Sequence, residues 1–260
     1  MMLLLNPKYE HLRSWLEMMP EGFETEGEYV YGGRRNLIRK LTAPDGTVLN
    51  IKRYHAPGGV NALIYSFGFR KPKGMRAYQY PKILRQLGIE TPEQVAYIEE
   101  RRHGLLGLSY FVSIQCPYRH RLYEMLDAKP DLYEGVAVAL ARFAAHMHNE
   151  QVQHLDFSPG NILWDNVETA ATAPESAAER YVFSIVDINR MYFGPVDIHR
   201  GCRNFARLWG PKRFFLLLAH EYARQRGFDE DECERLILRY RADFWHRYAL
   251  KHEVSFKLEL

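Results

Sequence analysis

Short stretches in which apolar and polar residues alternate dominate the first 115 positions of the chain. EYVYGG at 28–33, RNLIRKLTA at 35–43 and TVLNIKRYH at 47–55 have the period of two that is typical of β-strands. The Asp-Gly pair that separates the last two stretches favours a tight hairpin turn, because glycine tolerates a positive φ. VAYIEE and LSYFVSI predict two further strands before residue 115.

Helical spacing interrupts these strands twice. Asn6-Pro7 is typical of an N-cap followed by the first helical residue, and it predicts a helix over 6–19 that stops before Pro20. A second helix is expected over 75–87, where a proline has to kink or restart it. The stretch APGGVNA between strand and helix predicts a loop.

Beyond Cys116-Pro117 the pattern becomes mainly helical. Apolar residues recur at helical spacing over 132–149, and the remainder from about 201 has the same character. Two short apolar stretches, ILW and YVFSIVD, predict strands between these helices, separated by a solvated loop of low complexity at 166–180. FFLLLA lies in a helix that we expect to pack in the core, since the run is too short to span a bilayer.

This order predicts an α+β protein of two lobes. A small, strand-rich N-terminal lobe covers residues 1–113 and includes the leading helix at 6–19, and a helical C-terminal lobe covers 114–260. A hinge is expected near 113–118, where the pattern changes.

Composition narrows the class of protein. The net charge of +3 and the 26% of charged residues are ordinary for a globular protein and give no sign of nucleic-acid binding. Three widely spaced cysteines exclude a disulfide framework or a Cys-based zinc site and suit a reducing compartment. The opening MMLLL lacks the basic and longer apolar regions of a signal peptide, so a cytoplasmic location is expected.

Two short motifs carry the candidate chemistry. HLDFSPGNIL contains His154, Asp156 and Asn161, and VDINRM contains Asp187 at the end of an apolar strand. Pro-Gly between Asp156 and Asn161 bends the chain so that both side chains face one way. Carboxylate and amide oxygens are the ligands that magnesium prefers, and phosphoryl transfer needs such a metal site beside a base. A capped turn is the alternative explanation for either residue taken alone.

Together these motifs resemble the catalytic and metal-binding loops of the protein-kinase-like fold. Ser158 stands where protein kinases carry Lys, and Asn189 stands where they carry the Gly of Asp-Phe-Gly. The surrounding sequence, including IKRYHAP and LGIETPEQVAYIE, is similar to the lipopolysaccharide kinases of the Kdo/WaaP family over about 27–245. The resemblance implies Asp156 as the catalytic base and Asn161 and Asp187 as ligands of Mg²⁺, while His154 holds the loop without taking part in the chemistry.

The same resemblance implies an ATP site in the N-terminal lobe. Lys52 is the candidate for the nucleotide lysine, although a lysine in a hairpin is also typical of a solvated edge strand. Gly32 and Gly33 are candidates for a phosphate-covering turn, but two adjacent glycines often form only a turn. The helix that follows contains no acid to pair with the lysine. Gln79 occupies the nearest position, so Glu90, Glu93 or another acid would have to replace the pair.

The implied acceptor is a sugar of the lipopolysaccharide inner core, Kdo or heptose, on a lipid-linked molecule. The segment after Asp187 is short and lacks a peptide-docking element, which favours such an acceptor over a protein. Arg190, Arg200 and Arg203 are candidates for binding its carboxylate or phosphates, with basic residues at a helix start as the alternative. We expect peripheral contact with the inner face of the cytoplasmic membrane, no nucleic-acid partner and no obligatory protein partner.

Two other functions stay open at this stage. One is a pseudokinase that binds nucleotide or acts as a scaffold, which the Gln79 position favours. The other is a protein kinase of the RIO type, which Ser158 favours.

Overall fold

An antiparallel sheet of six strands organises the first 117 residues. The strand order is β1-β5-β6-β4-β3-β2, so β4 is an interior strand and β1 and β2 form the two edges. The strands are β1 (Met2–Leu5), β2 (Glu28–Gly32), β3 (Asn36–Thr42), β4 (Val48–Tyr54), β5 (Gln94–Arg102) and β6 (Leu105–Ile114). The predicted hairpin joins β3 to β4, and Gly46 in its turn has the positive φ of 85° that favours glycine.

The computed structural model describes residues 1–32, 36–167, 180–254, 256 and 259. Within it the chain divides into two units, Met1–Pro117 and Tyr118–Leu260.

The leading helix covers one face of the N-terminal sheet. It starts as a 3₁₀ helix (Pro7–Leu12) capped by the side chain of Asn6 and continues as α1 (Arg13–Gly22). Leu16 of α1 is fully buried in one cluster with Leu49 and Ile51 of β4. Burial of such a side chain stabilises the fold by about 2 kcal/mol. The expected stop before Pro20 is wrong: Pro20 lies in the last turns, where its missing N–H removes a single helical hydrogen bond.

Two helices connect β4 to β5. The segment expected to be a loop becomes helical at Val60, forming α2 (Val60–Ser66). The next helix, α3 (Lys73–Gln86), passes through Pro81 without a second start and packs on the sheet face opposite α1. A Cβ on Gly74 would lie 2.6 Å from the ring of Tyr97, so this glycine allows α3 to approach β5 closely.

The second unit consists of helices with short strand pairs. The helices are α4 (Pro130–Asn149), α5 (Ile198–Asn204), α6 (Lys212–Arg226) and α7 (Glu230–Ala249). The strands are β7 (His120–Arg121), β8 (Val152–His154), β9 (Ile162–Asn166), β10 (Tyr181–Ile185) and β11 (Met191–Phe193). Most of the predicted loop at 166–180 lies outside the described residues.

Helices α4 and α6 pack against each other in the core of this unit, and the apolar run of α6 is buried there as predicted. Among the helices in the described part of the chain, none combines the length and apolar character needed to cross a lipid bilayer. The strand-rich first unit and the helical second unit agree with the predicted α+β class.

Candidate active site

His154 ends β8 and holds the loop that contains Asp156. Its Nδ1 accepts a hydrogen bond from the Asp156 backbone N–H at 3.0 Å, and its Nε2 donates to the Val186 carbonyl oxygen at 3.0 Å. Both bonds together require the neutral tautomer protonated at Nε2. Complete burial lowers the pKa of His154, which favours the same neutral form. His154 therefore joins the Asp156 loop to the residue that precedes Asp187.

Asn161 makes a second connection between these two segments. Its Nδ2 donates to the Asp156 carbonyl oxygen at 2.9 Å, and its own carbonyl oxygen accepts the Val186 N–H at 3.0 Å. Strands β9 and β10 continue this pairing, with Ile162 opposite Ile185. Both the N–H and the carbonyl oxygen of Val186 are hydrogen-bonded to the Asp156 loop. The backbone position of the next residue, Asp187, is therefore fixed beside Asn161.

Asp187 has a left-handed backbone conformation, with φ of 56°. Such a conformation costs a non-glycine residue about 1–3 kcal/mol and is typical of functional sites. The buried Asn189 donates from Nδ2 to the Asp187 carboxylate. It is Asp187 and not Asn189 that carries the positive φ, so the position that resembles a kinase glycine accepts an asparagine without backbone strain.

Two arginines surround the carboxylate of Asp156. Nη1 of Arg207 forms a hydrogen-bonded ion pair with Oδ1, and Nη1 of Arg190 lies 3.8 Å from Oδ2. Arg190 was among the sequence-based candidates, whereas Arg207 was missed. One feature of the sequence could have indicated Arg207. Ser158 stands where kinases carry a lysine, so the Asp156 carboxylate has no cation from its own loop, and a basic residue elsewhere in the chain has to supply it.

Arg207 ends the segment 204–207, which includes the 3₁₀ helix Phe205–Arg207 and makes three contacts with the loop. Asn204 Nδ2 donates to the His154 carbonyl oxygen at 2.8 Å, and the buried Phe205 ring packs edge-on against the ring of Phe157. The ion pair of Arg207 with Asp156 is the third contact. The Arg207 side chain remains 43% exposed, so it can still donate to a ligand.

The other two candidate arginines have different surroundings. Arg200 stacks on the Tyr192 ring at 3.8 Å and donates to Gln153 Oε1 at 2.9 Å. Arg203 lies over the Tyr240 ring at 4.6 Å. Neither has a recorded contact with Asp156, so the structure brings only Arg190 of the three to the carboxylate.

Lys52 lies on β4, in the interior of the sheet of the first unit. Ile38 and Phe111 are opposite it on the neighbouring strands, and only 7% of the residue is exposed. A solvated lysine on an edge strand is therefore excluded. A buried lysine is costly without compensating interactions, and such a position is typical of a functional ammonium group.

The acids considered as partners of Lys52 have other contacts. Glu90 lies 3.4 Å from Arg85, and Glu93 accepts hydrogen bonds from Lys8 and Tyr9. Gln79 accepts a hydrogen bond from Lys71 at 2.8 Å.

A different acid shares a sheet face with Lys52. Tyr97 is opposite Phe111, which in turn is opposite Lys52, so all three side chains share that face, and Glu99 follows two residues later on β5. Glu99 is buried and bonded to the Tyr97 hydroxyl and to Arg101, each at 2.7 Å. Glu99 is thus an acid on the lysine face, and Arg101 is its charged partner.

Of the two glycines that are candidates for the phosphate-covering turn, only Gly32 lies in the described part of the chain. Gly32 ends β2, and a Cβ there would lie 2.9 Å from the ring of Tyr29, an exposed side chain that can move aside, so packing does not by itself require this glycine. Gly33 lies outside the described residues.

Asn161 and Asp187 are a donor set that fits magnesium. Asn161 uses its Nδ2 on the backbone, which leaves Oδ1 as the atom to face a cation, and Asp187 adds a carboxylate from the adjoining segment. Magnesium keeps several waters and needs only one or two protein carboxylates. Within the described ranges, no cluster of three or more His, Cys, Asp or Glu side chains is arranged to hold a metal ion.

The sequence of the chain is similar to those of known lipopolysaccharide kinases. Residues 27–192 match the model of the lipopolysaccharide kinase (Kdo/WaaP) family. The chain is 26% identical over 156 residues to 3-deoxy-D-manno-octulosonic acid kinase of Vibrio cholerae serotype O1; the match covers 57% of this chain and spans 64% of the relative's length.

A solved structure, WaaP in complex with acyl carrier protein, matches with a TM-score of 0.61 and 17% identity, over 97% of this chain and 100% of the other. This likeness confirms the predicted fold class, and the family match over more than half of the chain confirms the resemblance found in the sequence. The chain belongs to the lipopolysaccharide kinase (Kdo/WaaP) family.

Proposed function

We propose that this chain transfers the γ-phosphoryl group of ATP to a hydroxyl of a Kdo or heptose residue in the lipopolysaccharide inner core. The observation that carries the proposal is the double attachment of Val186 to His154 and Asn161, which brings the candidate metal ligands Asn161 and Asp187 beside the loop of Asp156. Membership of the kinase family supports the reaction class, and the relative's name as a Kdo kinase supports a sugar acceptor.

Asp156 is assigned the role of base for the attacking hydroxyl. A carboxylate within hydrogen-bond reach of that hydroxyl orients it and accepts its proton as the new bond to phosphorus forms. Arg207 is assigned a positioning role, because its ion pair fixes the direction of the carboxylate. Its remaining N–H groups can also donate to the transferring phosphoryl group, as a guanidinium fork suits phosphate oxygens.

Asn161 and Asp187 are assigned to Mg²⁺, which supplies positive charge to the phosphates when it is bound. Asn189 keeps the Asp187 carboxylate oriented through its hydrogen bond. Lys52 is assigned to the nucleotide phosphates and Gly32 and Gly33 to the covering turn. Glu99 takes the place of the missing helix acid by contributing negative charge on the face of Lys52.

Arg190, Arg200 and Arg203 are proposed for the anionic groups of the acceptor. The geometry supports Arg190 most, because it lies beside Asp156 and its guanidinium is largely exposed. Arg200 and Arg203 already stack on tyrosine rings, and this supports a role in shaping the surface on which the acceptor lies.

Phosphoryl transfer is tested with the purified full chain, ATP, Mg²⁺ and a Kdo-containing lipid A precursor, with the product identified by mass spectrometry. Wild-type protein should add one phosphoryl group. Asp156→Asn should lower turnover by roughly 10²–10⁴-fold, since an amide cannot accept the proton. Nucleotide binding, followed as a thermal shift with Mg-ATP, should persist.

Asp165→Asn is the matched control, because Asp165 lies in the neighbouring strand and is paired with Arg119. It should leave turnover unchanged. A wild-type protein that binds nucleotide without transferring phosphate would instead be a pseudokinase, and autophosphorylation without sugar would indicate a RIO-like protein kinase.

The expectation of no obligatory protein partner has its own test. WaaP was solved with acyl carrier protein, so that protein is the natural candidate. Turnover by the isolated chain that does not rise on addition of acyl carrier protein agrees with the expectation, and turnover that requires the addition contradicts it.

A further inference from the structure

Helix α2 and the turn after it expose four large apolar side chains. These are Val60, Leu63, Phe67 and Phe69, with exposed fractions of 71%, 49%, 70% and 84%. No residue of α2 is buried. Exposed apolar residues are common singly, but a group of this size within ten positions marks an interaction surface.

Three of the four form one stripe. Val60, Leu63 and Phe67 are spaced i, i+3 and i+7, and the Phe67 backbone N–H still bonds to the Leu63 carbonyl at 3.0 Å. Residues with this spacing lie on the same side of a helix. The stripe therefore faces solvent along the length of α2, and Phe69 extends the apolar surface beyond the helix end. We call these four residues the α2 patch.

The charged residues that flank the α2 patch in the sequence are all basic. Residues 46–89 contain eight Lys and Arg and no Asp or Glu. Arg70 and Lys71 directly follow Phe69, and Lys71 bonds to the neutral Gln79, so its charge is not cancelled there. Arg101, which is paired with Glu99, donates from Nη1 to the Ser66 carbonyl oxygen at the end of α2.

We propose that the α2 patch docks on a lipid bilayer with anionic headgroups. A surface helix with apolar residues on one side and Lys or Arg nearby lies in the boundary between headgroups and acyl chains, where apolar burial and charge attraction act together. The choice of a bilayer over an acidic protein rests on the proposed function, because the acceptor of that reaction is lipid-linked.

Vesicle sedimentation with the full chain tests the proposal without any turnover. Wild-type protein should sediment with phosphatidylcholine vesicles that contain phosphatidylglycerol, more weakly with phosphatidylcholine alone, and less at high salt. The double variant Phe67→Ser/Phe69→Ser should reduce the sedimented fraction by roughly tenfold. Arg70→Gln/Lys71→Gln should reduce binding to the anionic vesicles and leave the weak binding to neutral vesicles as it is.

Met18→Ser is the matched control, since Met18 is 66% exposed on α1, outside the α2 patch. Vesicle binding equal to wild type is expected for it. The proposal is overturned if wild-type protein does not bind anionic vesicles, or if the double Phe variant binds them as well as wild type does. Retention on immobilised polyglutamate without vesicle binding would assign the surface to an acidic protein. Phosphoryl transfer to a delipidated acceptor sugar is measured separately, so a failure of docking and a failure of the activity are distinguishable.

Discussion

The loop around Asp156 and the α2 patch differ in how their side chains are held: those of the loop are fixed by hydrogen bonds and packing, and those of the α2 patch are exposed to solvent. In the loop, the side chain of His154 bonds to the Val186 carbonyl oxygen and that of Asn161 bonds to the Asp156 carbonyl oxygen. From outside the loop, Asn204 donates to the His154 carbonyl oxygen and Phe205 packs on Phe157. In the α2 patch the side chains face solvent and no residue of the helix is buried.

The difference follows from what each region has to meet. Transfer of a phosphoryl group needs a base and a metal held to a fraction of an ångström, so the surrounding bonds have to exclude other arrangements. A bilayer surface is fluid and has no fixed shape, so apolar area and charge are sufficient. Single substitutions in the loop region should therefore strongly lower activity or stability. Substitutions in the α2 patch should lower membrane binding and leave the other properties of the protein unchanged.

Among the variants that test this comparison, the largest effect is expected from removing Arg207. Arg207→Gln should lower kcat by roughly 100-fold, because the Asp156 carboxylate loses the ion pair that orients it. The KM for ATP should change less than kcat, because the proposed contact of Arg207 with the γ-phosphoryl group strengthens only as that group is transferred. Steady-state kinetics with ATP and the lipid-linked acceptor measure both constants.

Two further variants sharpen this result. Arg207→Lys should recover part of kcat, because an ammonium keeps the charge without the guanidinium fork. Arg235→Gln removes an exposed arginine that pairs with Glu232 on α7 and should behave as wild type. An equal loss of kcat and of thermal stability in Arg207→Gln alone would mean that Arg207 serves the fold and not the alignment of Asp156.

An intermediate effect concerns the stability of the loop region against acid. Burial lowers the pKa of His148 to about 3, with the charge of Arg226 acting in the same direction. Its ring lies between the Tyr222 hydroxyl at 2.9 Å and Asn204 Oδ1 at 3.0 Å, and Asn204 also holds the carbonyl of His154. The folded state therefore keeps the ring neutral.

Unfolding frees His148 to titrate with its ordinary pKa of 6.5. Its stabilising contribution is complete above pH 6.5 and is lost as the pH falls towards 3, because only the unfolded chain takes up the proton in this range. Between pH 7 and pH 5 the free energy of unfolding should fall by about 2 kcal/mol from this group. His154 adds to the loss in the same direction.

Urea denaturation at the two pH values measures this change. His148→Gln keeps a polar side chain between the same partners and should be less stable at pH 7, yet show a smaller loss on acidification. A pH dependence identical to wild type in that variant would contradict the assignment to His148. The range from pH 7 to pH 5 lies above the pH at which the carboxylates titrate. Glu221 is an example, since its pKa is lowered from the ordinary value.

The smallest expected effect belongs to the α2 patch. Leu63→Ser should change the free energy of unfolding by less than about 0.5 kcal/mol, because the side chain is largely exposed and packs on little. Leu16→Ser on α1, which is fully buried, serves as the contrast and should cost several kcal/mol. Urea denaturation of both variants compares them, and a large loss for Leu63→Ser would mean that the patch is part of the core.

Most of the N-terminal elements could be predicted because each has a local cause. The alternation in β3 and β4 and the Asp-Gly turn between them act over a few residues, and tertiary packing agrees with them. The errors also have local explanations. Pro81 was expected to kink or restart α3, and the helix has no second start, because packing of α3 on the sheet outweighs one lost hydrogen bond. Helix α2 was missed because the glycines before it favour a loop.

The residues of the loop at Asp156 and of Asp187 could be identified from order and type alone, since HLDFSPGNIL and VDINRM each place their acid at the end of an apolar stretch. Their mutual arrangement could not. The bonds that join them to Val186 and the φ of Asp187 depend on strands β8 to β11, whose pairings are set by segments far apart in the chain.

The sequence determined the family of the chain, its division into strand-rich and helical parts, and the candidate acids and lysine, because these depend on residue types and short-range periodicity. Only the tertiary structure decided that Lys52 is buried on an interior strand, that Arg207 is the cation on Asp156, and that the apolar stripe of α2 faces solvent. The physical reason is that burial and ion pairing depend on neighbours in space, which can be distant in the chain: 51 positions separate Arg207 from Asp156, and 59 separate Lys52 from Phe111.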